Sequence, residues 1–147
     1  MLLDDLFLQS RAGKISMEPF TYSAIFPIAA FVAGAVIPIN INIQNDSDFV
    51  WRYTILSAYT APNVPQVAPD YFVTFFDTGS GRNAQDQAIH VACCMGTAQL
   101  PYILPEPKRL AAGAVLTVTM ANVGGVAALA TVVLAGFKIY NLATFNR

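Results

Sequence analysis

Alternation dominates the hydrophobic pattern of this chain. In "AVIPININIQ" (Ala35 to Gln44), Ile39, Ile41 and Ile43 point one way and Asn40, Asn42 and Gln44 the other. Period-two alternation marks a half-buried antiparallel strand, and Pro38 suits the start of a strand or an edge. "NDSD" (Asn45 to Asp48) reads as a turn, because Asn, Asp and Ser side chains bond nearby backbone. Further strands are expected at "FTYSAIF" (Phe20 to Phe26), "FVWRYTILSAYT" (Phe49 to Thr60), "YFVTFFD" (Tyr71 to Asp77), "AVLTVTMANV" (Ala114 to Val123) and "ALATVVLAGFKIYNL" (Ala128 to Leu142). "AIHVACCMG" (Ala88 to Gly96) is short and expected to be extended. "APNVPQVAPD" and "TGSGRNAQDQ" read as loops. "QLPYILPEPKRLAAG" reads as a connection, since Pro101, Pro105 and Pro107 bar a regular helix or a central strand.

Seven or eight strands separated by Pro, Gly and Asn turns, with no long amphipathic helix, predict an antiparallel sandwich or barrel. The long proline-rich crossings favour a jelly roll over a meander. The expected fold is therefore an all-β, antiparallel, jelly-roll-like β-sandwich with an extended N-terminal arm. Residues 1–19 form the arm and residues 20–147 the single sandwich domain. Within the arm, "LLDDLFLQ" can form one or two helical turns that offer Leu2, Leu3, Leu6 and Phe7 as apolar contacts, and "SRAGKIS" reads as loop. Such an arm is either disordered or ordered by docking elsewhere.

Two strands break the one-sided rule. On "YFVTFF", Tyr71, Val73 and Phe75 share one face, and Phe72, Thr74 and Phe76 the other. On the last strand, Val133, Ala135, Phe137 and Ile139 oppose Val132, Leu134 and Tyr140. Each sheet of a sandwich has one inward face, so something must cover the second. The ten Phe, six Tyr and one Trp fit mainly as core. A carbohydrate-binding face is the other use for such rings.

Composition sharpens this picture. Charged residues are 12% of the 147 and hydrophobic residues 55%, where a soluble domain carries about 25% charged. A surface so poor in charge belongs to a membrane protein or to one covered by partners. The longest apolar runs, Ala24 to Ile39 and Val123 to Phe137, fall short of the roughly 20 residues of a spanning helix and carry Pro or Gly. The N-terminus has acids where a secretory leader has bases. A net charge of −1 without a basic patch argues against nucleic acid. Interface cores are depleted in Lys and Glu, and neutral amides can bond there without the desolvation cost of a charge. Asn40, Asn42, Gln44, Phe72 and Phe76 join Leu2, Leu3, Leu6 and Phe7 as the candidate protein-interface residues.

Candidate chemistry is sparse. His90, the one histidine, lacks a neighbouring nucleophile signature and reads as a strand residue. Asp46 and Asp48 lack the spacing of a calcium loop and read as turn formers. Cys93 and Cys94 are adjacent, pair poorly with each other and read as free structural thiols. "TGSGRN" has no P-loop spacing, and "DTGSG" lacks the second copy an aspartic protease needs. No catalytic group, metal site or cofactor is expected.

Three segments carry a resemblance: "NDSDFVWR" (Asn45 to Arg52), "LPEPKRLAAGAVLTVTMANV" (Leu104 to Val123) and "VVLAGFKIY" (Val132 to Tyr140). Over roughly residues 20–140 the chain resembles the jelly-roll cement, or capsid decoration, proteins of tailed bacteriophages of the Bordetella podophage type. The resemblance implies a non-enzymatic virion protein made in the bacterial cytoplasm. It would sit as a homodimer on the capsid exterior and bridge major capsid protein subunits. A tail or collar component that binds host glycan is the alternative it leaves.

Overall fold

The computed structural model describes residues 2–60 and 63–141, the side chain of Leu2 excepted. Helix α1 (Leu2–Arg11) precedes ten strands: β1 (Ile15–Phe26), β2 (Val36–Asn42), β3 (Asp48–Thr60), β4 (Val64–Pro65), β5 (Tyr71–Asp77), β6 (Arg82–Asn83), β7 (Ile89–His90), β8 (Tyr102–Leu110), β9 (Val115–Asn122) and β10 (Leu129–Asn141). One sheet runs β1-β10-β3 and continues to β8 and β4, which both pair with β3. The other runs β2-β9-β5 and continues to β6 and β7, which both pair with β5. Every pairing between these strands is antiparallel. The chain crosses between sheets from β1 to β2 to β3 to β5, then from β7 to β8 to β9 to β10. That repeated crossing is the double Greek key of a jelly roll, the fold expected from the strand spacing together with the long proline-rich crossings.

The core lies between the sheets and is built by the inward half of each alternation. Phe49, Trp51, Val132 and Leu134 come from one side, and Ile41, Tyr71, Val73, Phe75, Leu116, Val118 and Met120 from the other. Trp51 meets Phe75 with ring centroids 5.0 Å apart, and Tyr22 meets Phe49 edge-on at 4.9 Å. The Trp51 indole N–H donates to the Tyr53 carbonyl at 3.0 Å and to Thr54 Oγ1 at 3.1 Å, so its polar atom is satisfied in the core. The aromatic residues of the centre are therefore mostly core. Phe72 and Phe76 are the exposed exceptions among the rings of β5.

Three expectations need correction. The segment read as a connection contains β8, an edge strand. Tyr102 and Ile103 pair with Thr54 and Tyr53, and Lys108 to Leu110 pair with Trp51 to Phe49. The ladder shifts register between these two stretches, at the bulge around Arg52, so Pro105 and Pro107 occupy positions without a partner. Second, strand β1 starts at Ile15, so residues read as loop and arm belong to the sheet. Third, within 88–96 only Ile89 and His90 pair as a strand, a 3-10 turn follows at Val91–Cys93, and Gly96 makes a single parallel bridge to Ile55 of β3. His90 causes the break: its Nδ1 accepts the Ala92 N–H at 3.1 Å and caps the turn.

Prolines mark the sheet edges. Pro19 lies in β1, Pro38 in β2, and Pro105 and Pro107 in β8, each an edge strand. A missing N–H there blunts edge-to-edge pairing with another molecule.

Candidate functional site

Outward positions are what remains once the core is filled. On the β2-β9-β5 sheet the register aligns them in rows. Val36 lies beside Ala121 and then Phe72, Pro38 beside Thr119 and then Thr74, and Asn40 beside Thr117 and then Phe76. Asn42 lies beside Val115. None of these eleven outward residues is ionisable. The amide oxygen of Asn40 accepts from the Thr117 hydroxyl at 2.9 Å, a cross-strand bond that holds both side chains flat on the sheet. Phe72 and Phe76 are each 38% exposed and stand four residues apart on one strand. The fold thus gathers Asn40, Asn42, Phe72 and Phe76 onto one bare face.

Gln44 does not join them. It lies past the end of β2, where its backbone N–H donates to the Tyr22 hydroxyl at 3.1 Å and its side-chain oxygen accepts from Lys138. The Lys138 side chain is almost wholly buried; it faces the Phe20 ring at 4.2 Å and Asp46 at 3.4 Å. Burial works to lower the Lys138 pKa. The hydrogen bond and charge of Asp46, with Tyr22 and Tyr140, outweigh it and raise the value. Slight desolvation likewise works to raise the Asp46 pKa, and bonds from Ser47 and Lys138 bring it below the usual carboxylate value. Gln44 belongs to this buried network, a structural role that an alternating pattern cannot signal.

The arm residues are placed on the chain's own sandwich. Helix α1 packs over the outer face of the other sheet, where Leu6, 4% exposed, closes against Ile15, Val50 and Ile139, with Leu3 and Met17 beside them. Phe7 stays 45% exposed and touches the Phe137 ring edge-on at 6.3 Å. The Leu2 side chain lies outside the described residues. Beyond the helix, the same face opens a shallow apolar depression of about 490 Å³ lined by Pro19, Thr21, Tyr53, Ala135 and Phe137.

The remaining candidates are accounted for by structure. His90 Nε2 meets Asp70 at 3.1 Å while Nδ1 caps the 3-10 turn, so both ring nitrogens are engaged. Asp48 binds the Arg109 guanidinium and accepts the Ala112 N–H at 2.8 Å, which ties the turn before β3 to the segment after β8. Asp77 accepts from Gly79 N–H at 2.9 Å and Ser80 Oγ at 2.8 Å, so the "DTGSG" acid is a turn anchor. Cys93 is exposed and Cys94 half-buried, both free. Burial, with Cys93 beside it, pushes the Cys94 thiol up to about 11, which leaves almost no thiolate at neutral pH. Among the described residues no group of three or more His, Cys, Asp or Glu side chains could hold a metal ion. No described helix is long and apolar enough to cross a membrane.

No family model and no curated protein matches this chain. Among solved structures it is similar to the infectious bursal disease virus VP2 subviral particle, at a TM-score of 0.37 and 11% identity. That match covers 87% of this chain and 33% of the VP2 chain, so this chain spans about a third of the other's length. Jelly rolls serve many unrelated functions, and a likeness this distant leaves the function to be argued from the chain's own residues.

Proposed function

We propose that the protein is a structural component of a virus particle, a cement protein that binds the outside of a bacteriophage capsid. On this reading it bridges neighbouring major capsid subunits, and a second copy of the chain is its other partner. The observation that carries the reading is the bare β2-β9-β5 face, eleven outward residues without one ionisable group. A face of this kind costs little to desolvate, and its amides and hydroxyls can bond to a partner's backbone. The three segments that resemble phage cement proteins support the same reading. Bridging a joint in the shell at about 1,600 Å² per contact, repeated over many sites, would oppose the internal pressure of packaged DNA.

The test is co-sedimentation of the purified chain with stripped phage heads. Saturation at hundreds of copies per head is the expected result. Absence from heads with recovery in tail fractions would discard cement and favour the tail or collar reading. The paired exposure of Phe72 and Phe76 beside the Asn40 and Asn42 amides is what such a reading would use to stack and bond a sugar ring.

A further inference from the structure

A titratable side chain stands at the margin of the bare face. The row that runs from Val36 through Ala121 to Phe72 continues to His90 on β7, the register partner of Phe72. The two rings meet edge-on, with centroids 5.5 Å apart and planes at 88°. The imidazole is 31% exposed, so it exchanges protons with solvent while it touches a residue of the candidate docking face.

The bonds to this ring define its protonation state. Nδ1 faces the Ala92 N–H at 3.1 Å, and Nε2 lies 3.1 Å from the Asp70 carboxylate. A backbone N–H can only donate, so Nδ1 presents a lone pair. An ionised carboxylate can only accept, so Nε2 carries the proton. The ring held in this way is the neutral imidazole. The imidazolium has a proton on both nitrogens and cannot keep the Ala92 bond. Asp70 is a fixed post, because its backbone carbonyl accepts the Val123 and Gly124 N–H groups, each at 3.1 Å. Protonation therefore strengthens the hold at Nε2 and removes the hold at Nδ1. What Nδ1 caps is a single turn, Val91–Cys93. Its Val91 end is buried, and the Val91 carbonyl accepts the Cys94 and Met95 N–H groups at 3.2 and 2.8 Å. Ala92 and Cys93 are exposed, so the outer side of the turn rests on the His90 bond.

We infer that His90 is a proton-operated catch at the margin of the docking face. Neutral, it ties the turn 91–93 to β7 and backs the Phe72 ring. Protonated, it releases Ala92, pivots about Asp70 and leaves Phe72 without a fixed neighbour. Docking through Phe72 then weakens as pH falls through the titration of the ring. The other titratable groups packed on His90 are few. Asp70 comes from the segment before β5, and Cys93 and Cys94 from its own turn, with Cys94 Sγ 3.8 Å from the His90 carbonyl. The Cys94 thiol, pushed up to about 11 by burial, stays protonated throughout. On the side of β3 and the segment 66–69, the cleft that His90 lines is formed by Leu56, Ala58, Gln66 and their neighbours, none of them charged. The effect on docking rests on the reading of the β2-β9-β5 face as the docking surface; the catch itself does not.

The test is nuclear magnetic resonance of the full, isotopically labelled chain between about pH 8 and pH 5, the range in which histidines change charge. Co-sedimentation with phage heads is run at both ends of that range. At the upper end Nε2 should carry the ring proton and Nδ1 none. On acidification the Ala92 amide and Phe72 ring signals should move with the same midpoint as the His90 ring. Head binding by the wild type should weaken at least about threefold over the same range. His90→Asn keeps a side-chain acceptor for the Ala92 N–H but cannot titrate, so its Ala92 and Phe72 signals and its head affinity should stay level. Ala92 and Phe72 signals that ignore the titration of the ring, or a proton on Nδ1 at the upper end, would overturn the catch. Equal weakening of wild type and His90→Asn would overturn its control of docking. Coupled signals in the free chain together with no binding to heads at either pH would retain the catch and reject the cement reading.

Discussion

The two sheets of the sandwich meet the same difficulty in opposite ways. Both contain a strand that is apolar on each side, β10 in one and β5 in the other. On the first sheet the outer side is partly covered from within: α1 lays Leu6 over Ile15, Val50 and Ile139. On the second no helix covers it: His90 meets the Phe72 ring edge-on at 5.5 Å, and Phe72 and Phe76 each stay 38% exposed. Two-sided apolar strands are therefore not in themselves a sign of a partner chain. The informative feature is a second face left bare and also left without charge.

The covered face should give the largest effect. Leu6→Ala removes a buried side chain from a small satellite cluster, and a loss of about 3 kcal/mol in unfolding free energy is expected from urea denaturation. Deleting residues 2–11 should do at least as much, because Val50 and Ile139 would then face water. A loss below about 1 kcal/mol for Leu6→Ala would mean that the helix is not held by this contact. The two faces would then be alike, and the arm would again be free to tether a neighbour.

The bare face should respond in the opposite sense. Phe72→Ala and Phe76→Ala each remove a ring that is 38% exposed, so a stability loss of no more than about 1 kcal/mol is expected. Head binding in the sedimentation assay should nevertheless weaken at least about tenfold. Asn40→Asp should be milder still on the fold, within about 0.5 kcal/mol, while it places a charge on the edge strand of the face. Unchanged occupancy with all three variants would move the docking surface elsewhere on the molecule.

How much of this contrast the sequence could carry depends on the distance over which it is encoded. The face assignments on β5 and β9 were legible because side-chain direction follows a period of two along one strand. The inward Tyr71, Val73 and Phe75 and the outward Phe72 and Phe76 lie as the alternation says. The grouping of Asn40 and Asn42 with Phe72 and Phe76 was legible only as a shared preference, since it needs β9 between β2 and β5. Strand β8 was hidden by its prolines, whose effect depends on being at an edge and across from a bulge. The docking of Leu6 was hidden because its partners, Ile15, Val50 and Ile139, are brought together by long-range pairing. Lys138 misleads in a local reading for the same reason: a lysine between Phe137 and Ile139 looks like an outward residue of the last strand. Its inward place depends on Gln44 and Asp46 arriving from the far side of the turn.

The smallest effect expected is at that lysine, where the covered sheet meets the turn before β3. Asp46 titrates below its ordinary value of 3.8 in the fold, so its contribution to stability is present above that value and lost as pH falls through the folded pKa. Lys138 titrates above 10.5, so its share is present below 10.5 and lost only as pH rises through the folded value. Between the two the pair is intact, and the acid side is the accessible limb. Asp46→Asn should lower the melting temperature slightly near neutral pH, because the buried ammonium keeps Gln44 and the Phe20 ring but loses its counter-charge. The gap between variant and wild type should narrow once pH falls below 3.8 and close as it passes through the lower folded-state value, where the wild-type carboxylate is itself neutralised. The effect stays small because the Asp46 side chain is half exposed and the pairing is screened by water. A gap that persists undiminished at about pH 2 would show that Asp46 acts through its hydrogen bonds and not its charge. The buried lysine would then be held by Gln44 and the aromatic ring alone.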